Sequence, residues 1–273
     1  MTSSKLVKSN APLDPIEIFK SDSIEISHQE FVAEETPVAM TFNGISHAVM
    51  MTSPQDLEDF AYGFSISEGL VKTIDDIFSI EINQVDQGIE LNIEISSEAF
   101  MKLKDRRKNL AGRTGCGICG SESLSQIFIE SENKISNNSL FDLNIIKRAL
   151  EKFGDNQVIK NKTGSTHACS LFNDKGDVLC TREDVGRHNA LDKLIGFTLK
   201  KEINLEHTFL FISSRASFEM IQKASFIGCQ LIVAISAPTA LAVRLANNMN
   251  ITLAGFAKNK DFNIYTHKKR LNV

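Results

Sequence analysis

From Ile135 to the C-terminus the sequence changes rhythm: short apolar runs of strand length take turns with longer segments whose apolar residues recur every three or four positions. This alternation constrains the fold more than any other feature. Strands separated by helices return to one sheet through crossover connections, so both faces of that sheet are covered. The reading begins with 135–154, "ISNNSLFDLNIIKRALEKFG", polar at its start and helical after it. The strands "THACSLFN" and "DVLCTRED" follow, then the helix "GRHNALDKLIGFTLKK", the strand "TFLFIS" and the helix "SFEMIQKASFIG". It closes with the strand "QLIVAIS", the helix "PTALAVRLANNM" and the strand "ITLAGF". One helix, two strands and three helix–strand units predict a mixed or mostly parallel sheet with helices on both faces.

The preceding part is rich in β-prone pieces: "IEIF", "SIEISHQEFVAE", "PVAMTFNG" and "ISHAVMMT". Asn43-Gly44 between the last two is a hairpin signal, because both residues tolerate positive φ. "SPQDLEDFAYGFSISEGLV" predicts a helix with Ser53 as N-cap and Pro54 in the first turn. "FSIEINQV" and "GIELNIEIS" alternate apolar and polar residues as a half-buried hairpin does. With 273 residues and 42% apolar composition the chain can bury two modest cores. The expected division is a β-rich unit over 1–134, ending in a cysteine segment, and an α/β unit over 135–273.

Lys plus Arg number 30 against 34 for Asp plus Glu, a formal charge of -4, which argues against a broad electrostatic grip on nucleic acid. No apolar run reaches the length of a membrane span, and the first residues lack a secretory pattern. Five cysteines with one close pair are not a disulfide framework. A cytoplasmic protein that engages neither membrane nor nucleic acid is expected.

The close pair lies in "AGRTGCGICGSESL", where Cys116 and Cys119 are flanked by glycines 112, 115, 117 and 120 and by Arg113. A neighbouring cation favours the thiolate, the reactive form of sulfur, and glycines allow close approach of another reactive atom. Zinc binding, redox exchange and sulfur chemistry all use this spacing. Zinc needs four ligands, and a second C-x-x-C or an H-x-x-x-H-type pair is missing; Cys169, Cys180, His167 and His188 could complete the set, but the two cysteines fall in apolar strand patterns. The glycine-rich flanks are unlike the compact surround of a thioredoxin-type pair.

A second constellation is "TREDVGRHNALDKLIG", which crowds Arg182, Glu183, Asp184, Arg187, His188, Asn189, Asp192 and Lys193 at a strand–helix junction. Binding crevices form at such strand ends, and salt-bridged helix starts also look like this. A third is the set of small turns "TGSTHA", "ISSRAS" and "ISAPTA", read as strand ends running into turns that suit phosphates, with Arg215 as a bidentate clamp. Lys258 and Lys260, on an expected loop after the last strand, could flank a pyrophosphate. Neither the P-loop nor the G-x-G-x-x-G fingerprint is present.

"ETPVAMTFNG", "MTSPQDLEDFAYGFSISEGL", "RTGCGICG", "TREDVGRHNALDKLIG", "SSRASFEMIQKA", "SAPTALAVRLA" and "TLAGFAKNKDFNIYTH" together resemble the FdhD/NarQ family of formate dehydrogenase accessory sulfurtransferases. The resemblance runs from about Glu35 to the C-terminus. It implies a sulfur carrier that accepts sulfur as a persulfide from a cysteine desulfurase of the IscS type. That sulfur passes to the molybdenum bis(molybdopterin guanine dinucleotide) cofactor destined for formate dehydrogenase. By the same resemblance Cys116 bears the persulfide and Cys119 assists. Phe256, Ala257, Lys258, Asn259, Lys260 and Asp261 form the cofactor-binding segment, with Arg215 and His188 as further contacts. A GDP-like nucleotide is expected to occupy that site, with no catalytic metal of the chain's own. The resemblance also implies a homodimer and a cytidine deaminase-like fold for the second unit. Ser165 and Ser214 stand where the family has glycine and Cys169 where it has alanine, which tunes the pocket. Deamination itself needs H-x-E and P-C-x-x-C, and His167 is followed by Ala168 and Cys169, so that activity is not expected.

Overall fold

The computed structural model describes residues 11–21, 23–110, 135, 139–259 and 261–272. Strands β1 (Leu13–Lys20) and β2 (Ser23–Ala33) form an antiparallel hairpin. Strands β3 (Thr36–Phe42) and β4 (Ile45–Thr52) are joined by the expected Asn43-Gly44 turn, with φ of 46° and 74°. After helix α1 (Leu57–Ser67) the expected second hairpin follows as β5 (Ile77–Val85) and β6 (Gly88–Ile95). The sheet order is β4-β3-β6-β5, with β3 and β6 parallel. Val38, Met40 and Phe42 alternate along β3 into a core shared with Phe60 and Phe64 of α1.

Two local expectations change here. Helix α1 begins at Leu57 rather than beside Ser53, with Asp56 in the left-handed region at φ 55°. Ser53 is engaged elsewhere: its amide donates to Asp184 Oδ2 at 2.9 Å, and its Oγ accepts from the Val185 amide at 3.1 Å. A distant buried carboxylate thus outcompetes the local cap. Helix α2 (Ser97–Leu110) has no counterpart in the sequence reading. Among the described side chains Ala99 and Leu103 are buried, with Phe100 packed beside them, too narrow a signal to stand out in a strongly polar segment.

In the second half β7 (Phe141–Asp142) leads into α3 (Leu143–Asp155), then α4 (Val158–Thr163), β8 (His167–Asn173) and β9 (Val178–Asp184). Helix α5 (Arg187–Lys200), β10 (Thr208–Ile212), α6 (Phe218–Ser225) and β11 (Leu231–Ala234) continue the alternation. Helix α7 (Ala240–Asn248), β12 (Thr252–Lys258), β13 (Asp261–Ile264) and β14 (Leu271–Asn272) complete it. The expected helix follows the polar start of its segment, beginning at Leu143, where Asp142 caps it by accepting from the Asn144 amide at 2.7 Å.

The sheet is mixed, as expected, in the order β13-β12-β11-β10-β8-β9. Strands β10, β11 and β12 are parallel, while β8, β9 and β13 are antiparallel to their neighbours. Leu210, Ile212, Ile232 and Leu253 pack against residues of α5, α6 and α7. Phe209, Phe211, Leu231 and Val233 face the other way, with Ile146, Ala149 and Phe153 of α3. Both faces are therefore apolar, which is why these strands read as continuous hydrophobic runs. The boundary expected at 134/135 adjoins a stretch outside the described residues.

The first-half and second-half elements meet at α1 and α5. At their crossing Gly63 and Gly196 face each other so closely that a Cβ on Gly63 would overlap the Asp192 carbonyl, and one on Gly196 the Asp59 carbonyl. Ion pairs surround the crossing: Arg182 with Asp59 at 2.7 Å, Lys200 with Glu58 at 2.6 Å and Lys223 with Asp192 at 3.0 Å.

Candidate functional site at the strand ends

The charged junction after β9 divides into bracing groups and site groups. Asp184 and Lys193 pair at 2.6 Å with both side chains fully buried, and Lys193 Nζ also donates to the Ser53 carbonyl at 2.9 Å. Glu183 accepts from the amides of Ile159 and Lys160 at 2.8 and 2.9 Å, satisfying the start of α4. Asn189 Nδ2 donates to the Met51 carbonyl at 2.9 Å and to Asp184 Oδ1 at 3.0 Å. These side chains, with Arg182 and Asp192, hold the elements together. Arg187 and His188, in the first turn of α5, remain partly exposed and turn toward α6. There Glu219 Oε2 lies 2.7 Å from His188 Nε2 and 3.9 Å from Arg187 Nη2.

This junction lies on a continuous rim. Because β10, β11 and β12 are parallel, their carboxyl ends share one edge of the sheet, where open α/β sheets place ligands. The turn after β10 is tied to the start of β8 by the Ser213 amide on the Ala168 carbonyl at 2.9 Å. It is tied to the turn after β11 by the Thr239 amide on the Ala216 carbonyl at 3.0 Å. The next link is the Phe256 amide on the Ser236 carbonyl at 3.2 Å, at a bulge in β12 where Phe256 has φ of 56°. Backbone approach there is close: a Cβ on Gly255 would meet Pro238 Cδ at 2.9 Å. Ser213 Oγ accepts from the Ala168 amide at 2.8 Å and lies 3.3 Å from His167 Nδ1.

The rim is locally positive. Burial, and then the charges of Lys160, Arg187 and His188, hold His167 below the ordinary imidazole value. Glu219 lies below the usual carboxylate range, chiefly through its hydrogen bond with His188, against the opposing effect of burial. At the start of α6 Ser217 makes no side-chain cap bond, and its buried Oγ has no hydrogen-bond partner among the described residues. The same holds for Arg187 Nε. Unused buried donors beside cations suit an anion of the phosphate class.

The sequence-expected residues fall as follows. Arg215 is exposed in the turn after β10. Phe256 is 52% exposed, Ala257 is buried and Lys258 ends β12. The expected loop is in fact a tight hairpin: Lys258 pairs with Asp261 across it, and Asn259 has φ of 53°. "TGSTHA" is not a strand end but the end of α4 and the start of β8. Since β8 runs antiparallel to β10, it still reaches the same rim. Cys116, Cys119 and Lys260 lie outside the described residues. Glu219, Ser213 and Ser217 were not assigned roles from the sequence. A carboxylate in the first turn of α6, just after the "SSRAS" turn, was the available signal.

The three described cysteines are buried. Burial pushes the thiols of Cys180 and Cys229 up to about 12 and that of Cys169 higher still. None of them forms a reactive thiolate near neutral pH. A thiol reagent applied to the native protein is therefore expected to leave Cys169, Cys180 and Cys229 unmodified. These three of the five cysteines should react only in denaturant, and rapid native modification of any of them would contradict the burial.

Comparison with known proteins adds to this geometry. The model of the FdhD/NarQ family matches residues 33–272. The sulfur carrier protein FdhD of Cupriavidus necator is 49% identical over 240 residues, covering 88% of this chain and 83% of that protein. The crystal structure of a proposed formate dehydrogenase accessory protein from Desulfotalea psychrophila superposes with a TM-score of 0.71. It covers 95% of this chain and 98% of that one at 23% identity, a likeness of fold.

Proposed function

The chain belongs to the FdhD/NarQ family, and on that premise we propose that it is a sulfur carrier serving formate dehydrogenase. The carrying observation is the 49% identity, over most of both chains, to a protein named for sulfur carriage. In this reading the Cys116 thiolate attacks the outer sulfur of a cysteine desulfurase persulfide. The donor's S–S bond breaks, its thiolate leaves, and Cys116 becomes the persulfide. Attack of the Cys119 thiolate on the inner sulfur then forms a Cys116–Cys119 disulfide and releases hydrosulfide to the acceptor. The electron pair that reduces the outer sulfur comes from the two cysteines, and a cellular thiol resets the disulfide.

The acceptor is molybdenum bis(molybdopterin guanine dinucleotide), taken as substrate. Support for placing it at the strand-end rim comes from the buried unpaired Ser217 Oγ and Arg187 Nε, the close backbone approach at Gly255 and the local positive charge. Arg215 and Lys258 would flank its phosphates, and Phe256 offers an exposed ring for a base. Cytoplasmic location and a homodimeric state belong to the same proposal.

Incubation with a cysteine desulfurase and cysteine tests the reading. One sulfur should be added to the Cys116 peptide by mass spectrometry, and an unlabelled wild-type chain would overturn it. GDP should bind measurably by calorimetry, and Arg215→Ala should weaken it by about tenfold, the scale of one charge-assisted hydrogen bond.

A further inference from the structure

At the junction of α5 and α6, one carboxylate contacts two neighbouring basic side chains that the sulfur chemistry does not require. Glu219, His188 and Arg187 are each partly exposed, at 24%, 30% and 31% of their side-chain surface. Glu219 Oε2 approaches His188 Nε2 to 2.7 Å, and a carboxylate at that distance favours the proton on Nε2 over Nδ1. Arg187 keeps its Nε unpartnered among the described residues while an outer nitrogen approaches the same carboxylate oxygen. One Glu219 oxygen thus draws both side chains toward α6, at 2.7 Å from His188 and 3.9 Å from Arg187. They are gathered beside the buried Ser217 hydroxyl, which also lacks a partner among the described residues.

We propose that Glu219 is a positioning residue that gathers His188 and Arg187 into a fork for a phosphate of the acceptor's guanine nucleotide. This rests on the reading that the strand-end rim receives that nucleotide. The fork's donors come from two positions on one helical turn. Phosphate oxygens would complete the hydrogen bonding of Ser217 and Arg187, which otherwise stays unmet.

The sign of one substitution separates positioning from simple charge balance. If Glu219 only diluted the positive potential, Glu219→Gln would tighten GDP binding. If it positions the fork, Glu219→Gln should weaken GDP by about tenfold, the equivalent of one charge-assisted contact, while leaving guanosine affinity unchanged. Glu219→Asp, which keeps the charge, should recover part of the loss. Ring nitrogen NMR should find His188 protonated at Nε2 in the wild type and this preference lost in Glu219→Gln. Melting curves of both variants establish that they fold.

Equal or tighter GDP binding by a folded Glu219→Gln variant would overturn the proposal, as would an unchanged ring pattern. If the wild type binds neither GDP nor guanosine, the acceptor-site reading fails and the phosphate role fails with it. The ring pattern then still decides separately whether Glu219 fixes His188.

Discussion

Alanine at position 63 or 196 is expected to destabilise the protein by about 3 kcal/mol, the upper end of overpacking penalties, because each methyl would enter backbone rather than a movable side chain. The obstructing atoms are the Asp192 carbonyl for Gly63 and the Asp59 carbonyl for Gly196, with the facing glycine amides 2.8 and 2.9 Å from the added carbons. Relief requires α1 and α5 to separate, which would also stretch the Arg182–Asp59 and Lys200–Asp59 pairs at 2.7 and 3.0 Å. For a chain of this size the penalty corresponds to a fall in Tm of roughly 6–12 °C. Gly154→Ala is the control. It lies within α3 with nothing within 4 Å of the added carbon, so alanine should raise stability by about 0.5–1 kcal/mol. Thermal unfolding of the three variants checks the contrast, and equal melting temperatures would refute close backbone contact at the crossing.

Replacing Cys116 by alanine is expected to abolish sulfur loading and, in a host lacking the wild-type chain, formate dehydrogenase activity. The described thiols offer no substitute. Cys169, Cys180 and Cys229 are buried, and burial disfavours their thiolates. Cys119→Ala should differ in kind: sulfur still loads onto Cys116, but release as hydrosulfide fails without the second thiol. Arg113→Ala should slow loading by lowering the thiolate fraction of Cys116 at neutral pH. Labelling with sulfur-35 cysteine and a desulfurase, scored on the Cys116 peptide, distinguishes the three. Wild-type labelling retained in Cys116→Ala would end the assignment of that residue.

Legibility differed between fold and site for a physical reason. Five strands of the six-stranded sheet were readable, the central ones from continuous apolar runs such as Phe209–Ile212 and Leu231–Ala234, whereas the exposed edge strand β13 lay where a loop was expected. The turn at Asn43-Gly44 was readable because positive φ restricts which residues fit. Helix α2 was not, since two buried residues amid charge leave almost no periodic signal. Ser53 looked like a cap by local rules, and a buried carboxylate 131 positions away claimed it.

In the charged segment after β9, composition alone could not separate roles. Asp184, Lys193 and Asp192 brace the fold, and Arg187 with His188 faces the rim, because helix phase and the packing of α1 and α6 decide which side chains reach solvent.

The order of strands and helices, the presence of a glycine-flanked cysteine pair and the family resemblance are properties of the sequence itself. They depend on neighbours along the chain and on matched motifs. The gathering of Glu219 with His188, the backbone contact of Gly63 with Gly196 and the silencing of three thiols required the tertiary structure. Each depends on groups brought together across long sequence separations, where distance and burial, not order, set the interaction.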